Sequence, residues 1–174
     1  MDGKILVCYA SKYGATKEIA EKIGEVLVRA GIQVDVVPVD RARDLNPYQA
    51  VILGSAVYMG QWQKKAVKLL QDKEKSLAGR KVWLFSSGPT GTGDPVELLK
   101  GWRLPEAVKP IADRIQPRDI AVFHGFVDPD KLNFIEKQAI KTVNAPTGDF
   151  RDWGAITNWA AGIAAAVKSV THSP

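Results

Sequence analysis

Apolar and polar positions along the chain fall into two alternating periods. Lys4–Tyr9 (KILVCY) is a short continuous apolar run, the pattern of a strand buried on both faces. From Thr16 the apolar residues Ile19, Ile23, Val26 and Leu27 recur at helical spacing, and Gly31 follows as a stop. Gln33–Pro38 alternates as a second strand, with Pro38 marking a sheet edge or the strand's end. Ala50–Gly54 predicts a third strand, Lys64–Lys75 a helix packing through Ala66, Val67, Leu69 and Leu70, and Lys81–Phe85 a fourth strand. Asp94-Pro95 has the form of a helix cap and first position. Pro105, Pro110 and Pro117 break the next stretch into short helical pieces. Ile120–Phe123 is the fifth strand, and Trp153–Val170 a closing amphipathic helix.

Five strands alternating with helices predict an α/β fold: a doubly wound five-stranded parallel sheet with helices on both faces and right-handed crossovers. The segment Asp128–Phe150 breaks the alternation and reads as an insertion after strand five, with its own short helix at Leu132–Val143. At 174 residues the chain has the length of a single domain, 1–174.

Composition narrows the class. Hydrophobic residues make up 45% and charged residues 25%, which excludes global disorder and collagen-like structure. One cysteine, Cys8, excludes a disulfide framework within the chain, and two histidines leave too few ligands for a multi-histidine metal site. The apolar runs are shorter than the ~20 residues of a membrane span, and Met1–Lys4 lacks the features of a signal peptide, so a cytoplasmic location is expected.

The net charge of +5 is concentrated: residues 63–81 hold seven cations and two anions, and the remainder balances. Such a run is either a solvated helix face or a surface for acidic partners, around Lys64, Lys65 and Lys68. Nucleic acid is not expected, since there is no recognition motif and little aromatic interleaving.

In a doubly wound sheet, ligands bind beyond the carboxyl ends of the strands, at the switch in strand order. Three loops there are unusual. Ser11-Lys12-Tyr13-Gly14-Ala15-Thr16 sets two hydroxyls and a glycine at the mouth of a helix, where free amides suit a phosphate. It reads equally as a helix start capped by Ser11 or Thr16. Gly54-Ser55-Ala56-Val57-Tyr58-Met59-Gly60-Gln61-Trp62 places two aromatics past a strand end, to cover the core or to stack on a flat ligand. Ser86-Ser87-Gly88-Pro89-Thr90-Gly91 opens a small, hydroxyl-rich loop whose amides suit the edge of a polar heterocycle, or which is a plain connection. A phosphorylated planar ligand such as flavin mononucleotide (FMN) would engage all three. Cys8 reads as a small core residue and His124 as a structural histidine at the end of strand five.

With those residues in view, Ser11–Thr16 resembles the phosphate loop of the flavodoxin family, with Tyr13 in place of the central threonine. Residues 54–62 and 86–94 resemble its two flavin-contacting loops, and Gly148–Ala160 its entry into the last helix. The resemblance covers essentially the whole chain. It implies the strand order 2-1-3-4-5 and bound FMN carrying electrons between partner proteins. It also implies a phosphate held by Ser11, Gly14, Ala15 and Thr16 without a cationic clamp, and stacking by Tyr58 and Trp62. A carbonyl near Met59 or Gly60 would accept the proton at flavin N5, and Ser87, Gly88, Thr90 and Gly91 would hold the ring edge and ribityl chain. Lys12, Tyr13, Ser55, Ala56, Val57 and Pro89 complete the expected site. Within the family, the Val57-Tyr58-Met59-Gly60 turn and the insertion ending near Asp152-Trp153 are similar to the menaquinone-dependent protoporphyrinogen oxidases. That branch implies an FMN-dependent oxidase using a quinone acceptor, and peripheral membrane contact belongs to this alternative alone. Electron-carrying flavodoxins are typically acidic, whereas this chain is basic.

Overall fold

The computed structural model describes residues 3–169. The strands are β1 (Lys4–Ala10), β2 (Val34–Pro38), β3 (Tyr48–Tyr58), β4 (Gln61–Trp62), β5 (Lys81–Ser87), β6 (Asp119–Phe123), β7 (Phe126–Val127) and β8 (Gly148–Asp149). The helices are α1 (Ala15–Arg29), α2 (Lys64–Ala78), α3 (Pro95–Leu98), α4 (Lys109–Ile115), α5 (Phe134–Val143) and α6 (Trp153–Ser169). The sequence places the end of the last helix at Val170, which lies outside the described residues.

The parallel strands run in the order β2-β1-β3-β5-β6, with β4 added antiparallel to β3. This is the expected 2-1-3-4-5 order once the short β4 is set aside. Pro38 closes the edge strand β2, where its missing N–H costs no ladder bond.

Period-two alternation divides the strands between two cores. Leu6, Cys8, Val51, Leu53, Val82 and Leu84 face α2 and α4, packing with Ala66, Leu70, Leu77 and Ile111. Ile5, Val7, Ile52, Trp83 and Phe85 face α1 and α6, packing with Ile19, Ile23, Leu27, Ile156 and Ile163. Phe85, Phe123 and Trp159 form a triangle of tilted rings with centroids 5.5–6.0 Å apart. Cys8 is fully buried beside the Ile52 carbonyl, and burial pushes its thiol up to about 12. It is the core residue the sequence suggests.

The insertion is a hairpin of β7 and β8 carrying a 3-10 turn (Pro129–Lys131) and α5. Helix α5 begins two residues later than the pattern predicts. Asn133 forms a capping box: its side chain accepts from the Glu136 amide at 2.8 Å, and Glu136 accepts from the Asn133 amide at 3.3 Å. Asp94 caps α3 as expected, accepting from the Val96 amide at 2.8 Å.

Candidate functional site

A cavity of about 990 Å³ opens at the carboxyl ends of β1, β3 and β5. Of the residues expected there, Lys12, Tyr13, Ala15, Thr16, Ala56, Val57, Tyr58, Met59, Ser87, Gly88, Pro89 and Thr90 line it. Ser11, Gly14, Ser55, Gly60, Trp62 and Gly91 do not, although Ser11 and Gly14 hydrogen-bond to each other in the turn that leads into α1.

The first wall is the entry to α1. Gly14 is the residue before the helix and has φ of +95°, a conformation that side chains resist. No side chain caps α1; the Ser11 hydroxyl accepts instead from the Gly14 amide at 3.0 Å. The helix therefore presents its first-turn amides with no intrahelical partner, at the positive end of its dipole. This geometry favours the anion-binding reading of Ser11–Thr16 over the capped-helix one.

The second wall differs from its sequence reading. Residues 55–58 are strand, because β3 runs on to Tyr58 and reverses through a two-residue turn. Met59 and Gly60 have φ of +52° and +74°, the paired positive values of a type I′ hairpin turn. Val57 pairs with Trp62 across this hairpin. Trp62 is only 4% exposed and packs in the core, its indole N–H donating to the Ser86 hydroxyl at 2.8 Å. It covers core rather than the cleft, and of the two aromatics only Tyr58 lines the cavity. Ser55 is fully buried as well, accepting from the Gln63 amide and donating to the Ala56 carbonyl, both at 2.9 Å. It holds the hairpin's base.

The third wall is the backbone of 87–90. His124 is buried, with its ring nitrogens 3.1 Å from the Pro89 carbonyl and 2.7 Å from the Gly93 carbonyl. The structural role expected of His124 is thus a specific one, pinning the loop at both ends. Gly91, with φ of +134°, turns the chain away from the cavity.

The insertion supplies the wall that sequence reasoning missed. Leu132, just before α5, and Ile135, Ala139, Ile140 and Val143 on it line the cavity, together with Met59, Pro89 and Leu98. Their helical spacing was legible; their target was not. Glu136 fastens this roof to the phosphate turn. It accepts from Lys12 Nζ at 3.0 Å and from the Tyr13 hydroxyl. Lys12 Nζ also sits 5.3 and 5.4 Å from the ring centroids of Tyr13 and Tyr58. Burial works to raise the Glu136 carboxyl, but hydrogen bonds from Tyr13, Lys12 and the Asn133 amide outweigh it and hold the group below the usual range. Burial, with Tyr13 and Glu136 nearby, pushes the Tyr58 phenol up to about 12, so its ring stays neutral.

The cavity joins a helix end with unpartnered first-turn amides, a neutral aromatic ring and the small 87–90 loop, where Ser87 and Thr90 offer hydroxyls, an arrangement that fits the phosphate, ring and polar edge of FMN. Lys12 and Tyr13 are committed to Glu136, so a phosphate would rest on amides and hydroxyls. Among the described residues no cluster could hold a metal ion, and no helix is long and apolar enough to cross a membrane.

The fold is shared with solved structures. Rubredoxin oxygen:oxidoreductase from Desulfovibrio gigas matches with a TM-score of 0.62 at 14% identity over 98% of this chain, which spans 37% of that protein. A flavodoxin from the Archaea matches with a TM-score of 0.61 at 17% identity, over 95% of this chain and 99% of its own. Flavodoxin 2 from Bacillus cereus matches at 0.56 and 22% identity, again over 95% and 99%. No curated protein matches the chain. The model of the flavodoxin domain matches residues 6–153, and the chain belongs to that family.

Proposed function

We propose that this protein is an FMN-binding electron carrier that shuttles electrons between protein partners in the cytoplasm. FMN is the cofactor of its family, and it supplies one- and two-electron redox chemistry when bound. The observation that carries the reading is the single cavity surface joining the first turn of α1, the Tyr58 ring and the 87–90 backbone.

In this reading Ser11, Gly14, Ala15 and Thr16 form the phosphate turn, and Tyr58 stacks on the ring system. The carbonyl of Met59 or Gly60 would accept a hydrogen bond from the N–H at N5 of the reduced cofactor. Ser87, Gly88 and Thr90 hold the polar edge. The apolar walls and the neutral Tyr58 disfavour negative charge gathering in the cleft, which lowers the potential. Lys64, Lys65 and Lys68 are exposed on α2 and form the docking face for an acidic partner. Lys65 and Lys68 are in part offset by Asp40 at 3.5 Å and Asp72 at 2.9 Å, so Lys64 leads that face.

A second reading is an oxidase of the protoporphyrinogen type, handing electrons to a quinone. The α5 roof favours it: apolar side chains stand on both sides of a gap that extends beyond the phosphate turn. The visible spectrum of the purified protein, followed by stepwise anaerobic reduction, separates the two. Flavin bands that bleach in two resolved one-electron steps support the carrier. Bleaching in one two-electron step, with turnover of a porphyrinogen by added quinone, supports the oxidase. A colourless protein that takes up no added FMN overturns both.

A further inference from the structure

Arg151 lies between β8 and α6 with only 6% of its side chain exposed. Enclosing a guanidinium is costly unless its donors are engaged, and these are. Nε and Nη2 fork onto the Asp149 carboxylate at 2.9 and 2.8 Å. Nη1 donates to Glu18 at 2.9 Å and to the Ala15 carbonyl at 3.4 Å. The guanidinium carbon lies 4.7 Å from the ring centroid of Trp153 and 5.3 Å from that of Phe126.

These contacts fall in two places. Ala15 and Glu18 belong to the first turn of α1, where the phosphate would rest. Asp149 and Phe126 belong to the β7–β8 hairpin. That hairpin is tied in turn to the opposite end of the cleft: the Phe150 amide donates to the Gly125 carbonyl at 3.0 Å, and the Gly125 amide to the Pro89 carbonyl at 2.9 Å. Pro89 lines the cleft in the 87–90 loop, an amide wall by virtue of the peptide groups of Ser87 and Thr90 on either side of it. A continuous chain of contacts therefore runs from one end of the cleft to the other, with Arg151 as its charged joint to α1.

We propose that Arg151 is a positioning residue that sets the separation between the phosphate turn and the amide wall, and so makes the cleft select FMN over flavin lacking the phosphate. The proposal rests on FMN occupying the cleft. A ligand held at both ends depends on the distance between its anchors, and misplacing one forfeits affinity. Riboflavin, anchored only at its ring, is indifferent to that distance. Lysine cannot substitute, because a single ammonium neither forks onto a carboxylate nor stacks between two rings.

The test is fluorescence titration of flavin-free protein with FMN and, separately, with riboflavin. R151K is expected to weaken FMN about tenfold while riboflavin stays within about twofold of the parent. D149A cuts the hairpin side of the joint and leaves Arg151 on α1, and the same loss of FMN preference is expected; it does not depend on R151K folding. Equal weakening of both flavins in either variant overturns the proposal, since it would reduce Arg151 to general packing. So does a D149A protein that keeps the parent's FMN preference, because Arg151 would then act on α1 alone. A parent protein that binds riboflavin as tightly as FMN overturns the selection itself, and one that binds neither removes the FMN reading beneath it.

Discussion

Helices α1 and α5 both border the cleft and both carry an apolar stripe, yet they are held in opposite ways. Helix α1 buries Ile19, Ala20, Ile23 and Leu27 against the sheet and has no side-chain cap. Helix α5 is capped at both ends, by the Asn133 box and by Asn144 in the left-handed region, and buries none of its residues. Ile135 and Val143 are 76% and 71% exposed although they line the cavity. Burying one large aliphatic side chain contributes about 1.5–3 kcal/mol, while a cap contributes ~1 kcal/mol and an exposed ion pair less. Tertiary burial thus fixes the α1 side of the cleft. Local chemistry and one carboxylate fix the roof, so the roof is free to be tuned without cost to the fold.

The strongest challenge to that contrast is a matched pair of truncations followed by urea unfolding. Ile23→Ala in α1 is expected to cost about 2–5 kcal/mol, and Ile135→Ala in α5 no more than ~0.5 kcal/mol. Comparable losses would mean that α5 is packed as firmly as α1. A smaller effect is expected from Asn133→Ala, which removes the cap at a cost of ~1 kcal/mol. It should appear as faster amide hydrogen exchange over residues 134–143 with the urea midpoint unchanged; a shifted midpoint would join the roof to the global unfolding unit.

The finest discrimination comes from pH. Glu136 has a folded pKa below its ordinary value of 4.5, so its hold on Lys12 and Tyr13 is at full strength above that value. The hold fades as pH falls through the lower folded value. Exchange protection of α5 is expected to drop in that acidic window in the parent. In Glu136→Gln it should be low already at neutral pH and flat across the window. A parent profile that stays level on acidification would show that the carboxylate does not fasten the roof.

Much of this was legible in the sequence, and what was hidden has physical reasons. Continuous apolar runs and helical spacing yield the parallel sheet and the three loops of the cleft, because those signals are local; the strand order came from the family resemblance. Trp62 was misplaced because Met59-Gly60 is not one of the strong hairpin dipeptides, so the reversal after Tyr58 left no mark. With strand taken for loop, covering the core and stacking on a ligand both stayed open for position 62, and the family resemblance tipped the expectation to stacking. Tyr13 stood out only as a replacement for the loop's central threonine; its partner Glu136 lies 123 residues away, a pairing that no local pattern encodes. The short helix of the insertion was expected, but nothing in the sequence said that it would line the cavity.

The sealing of Cys8 has a practical outcome for anyone wishing to watch the roof move. A thiol buried beneath the sheet and raised to about 12 stays protonated and out of reach of alkylating dyes. The natural chain therefore provides a silent background for site-directed labelling. A cysteine introduced at Lys137, on the outer side of α5, would take up a maleimide fluorophore at that position alone. Opening of the roof could then be followed by optical spectroscopy without first deleting a native sulfhydryl.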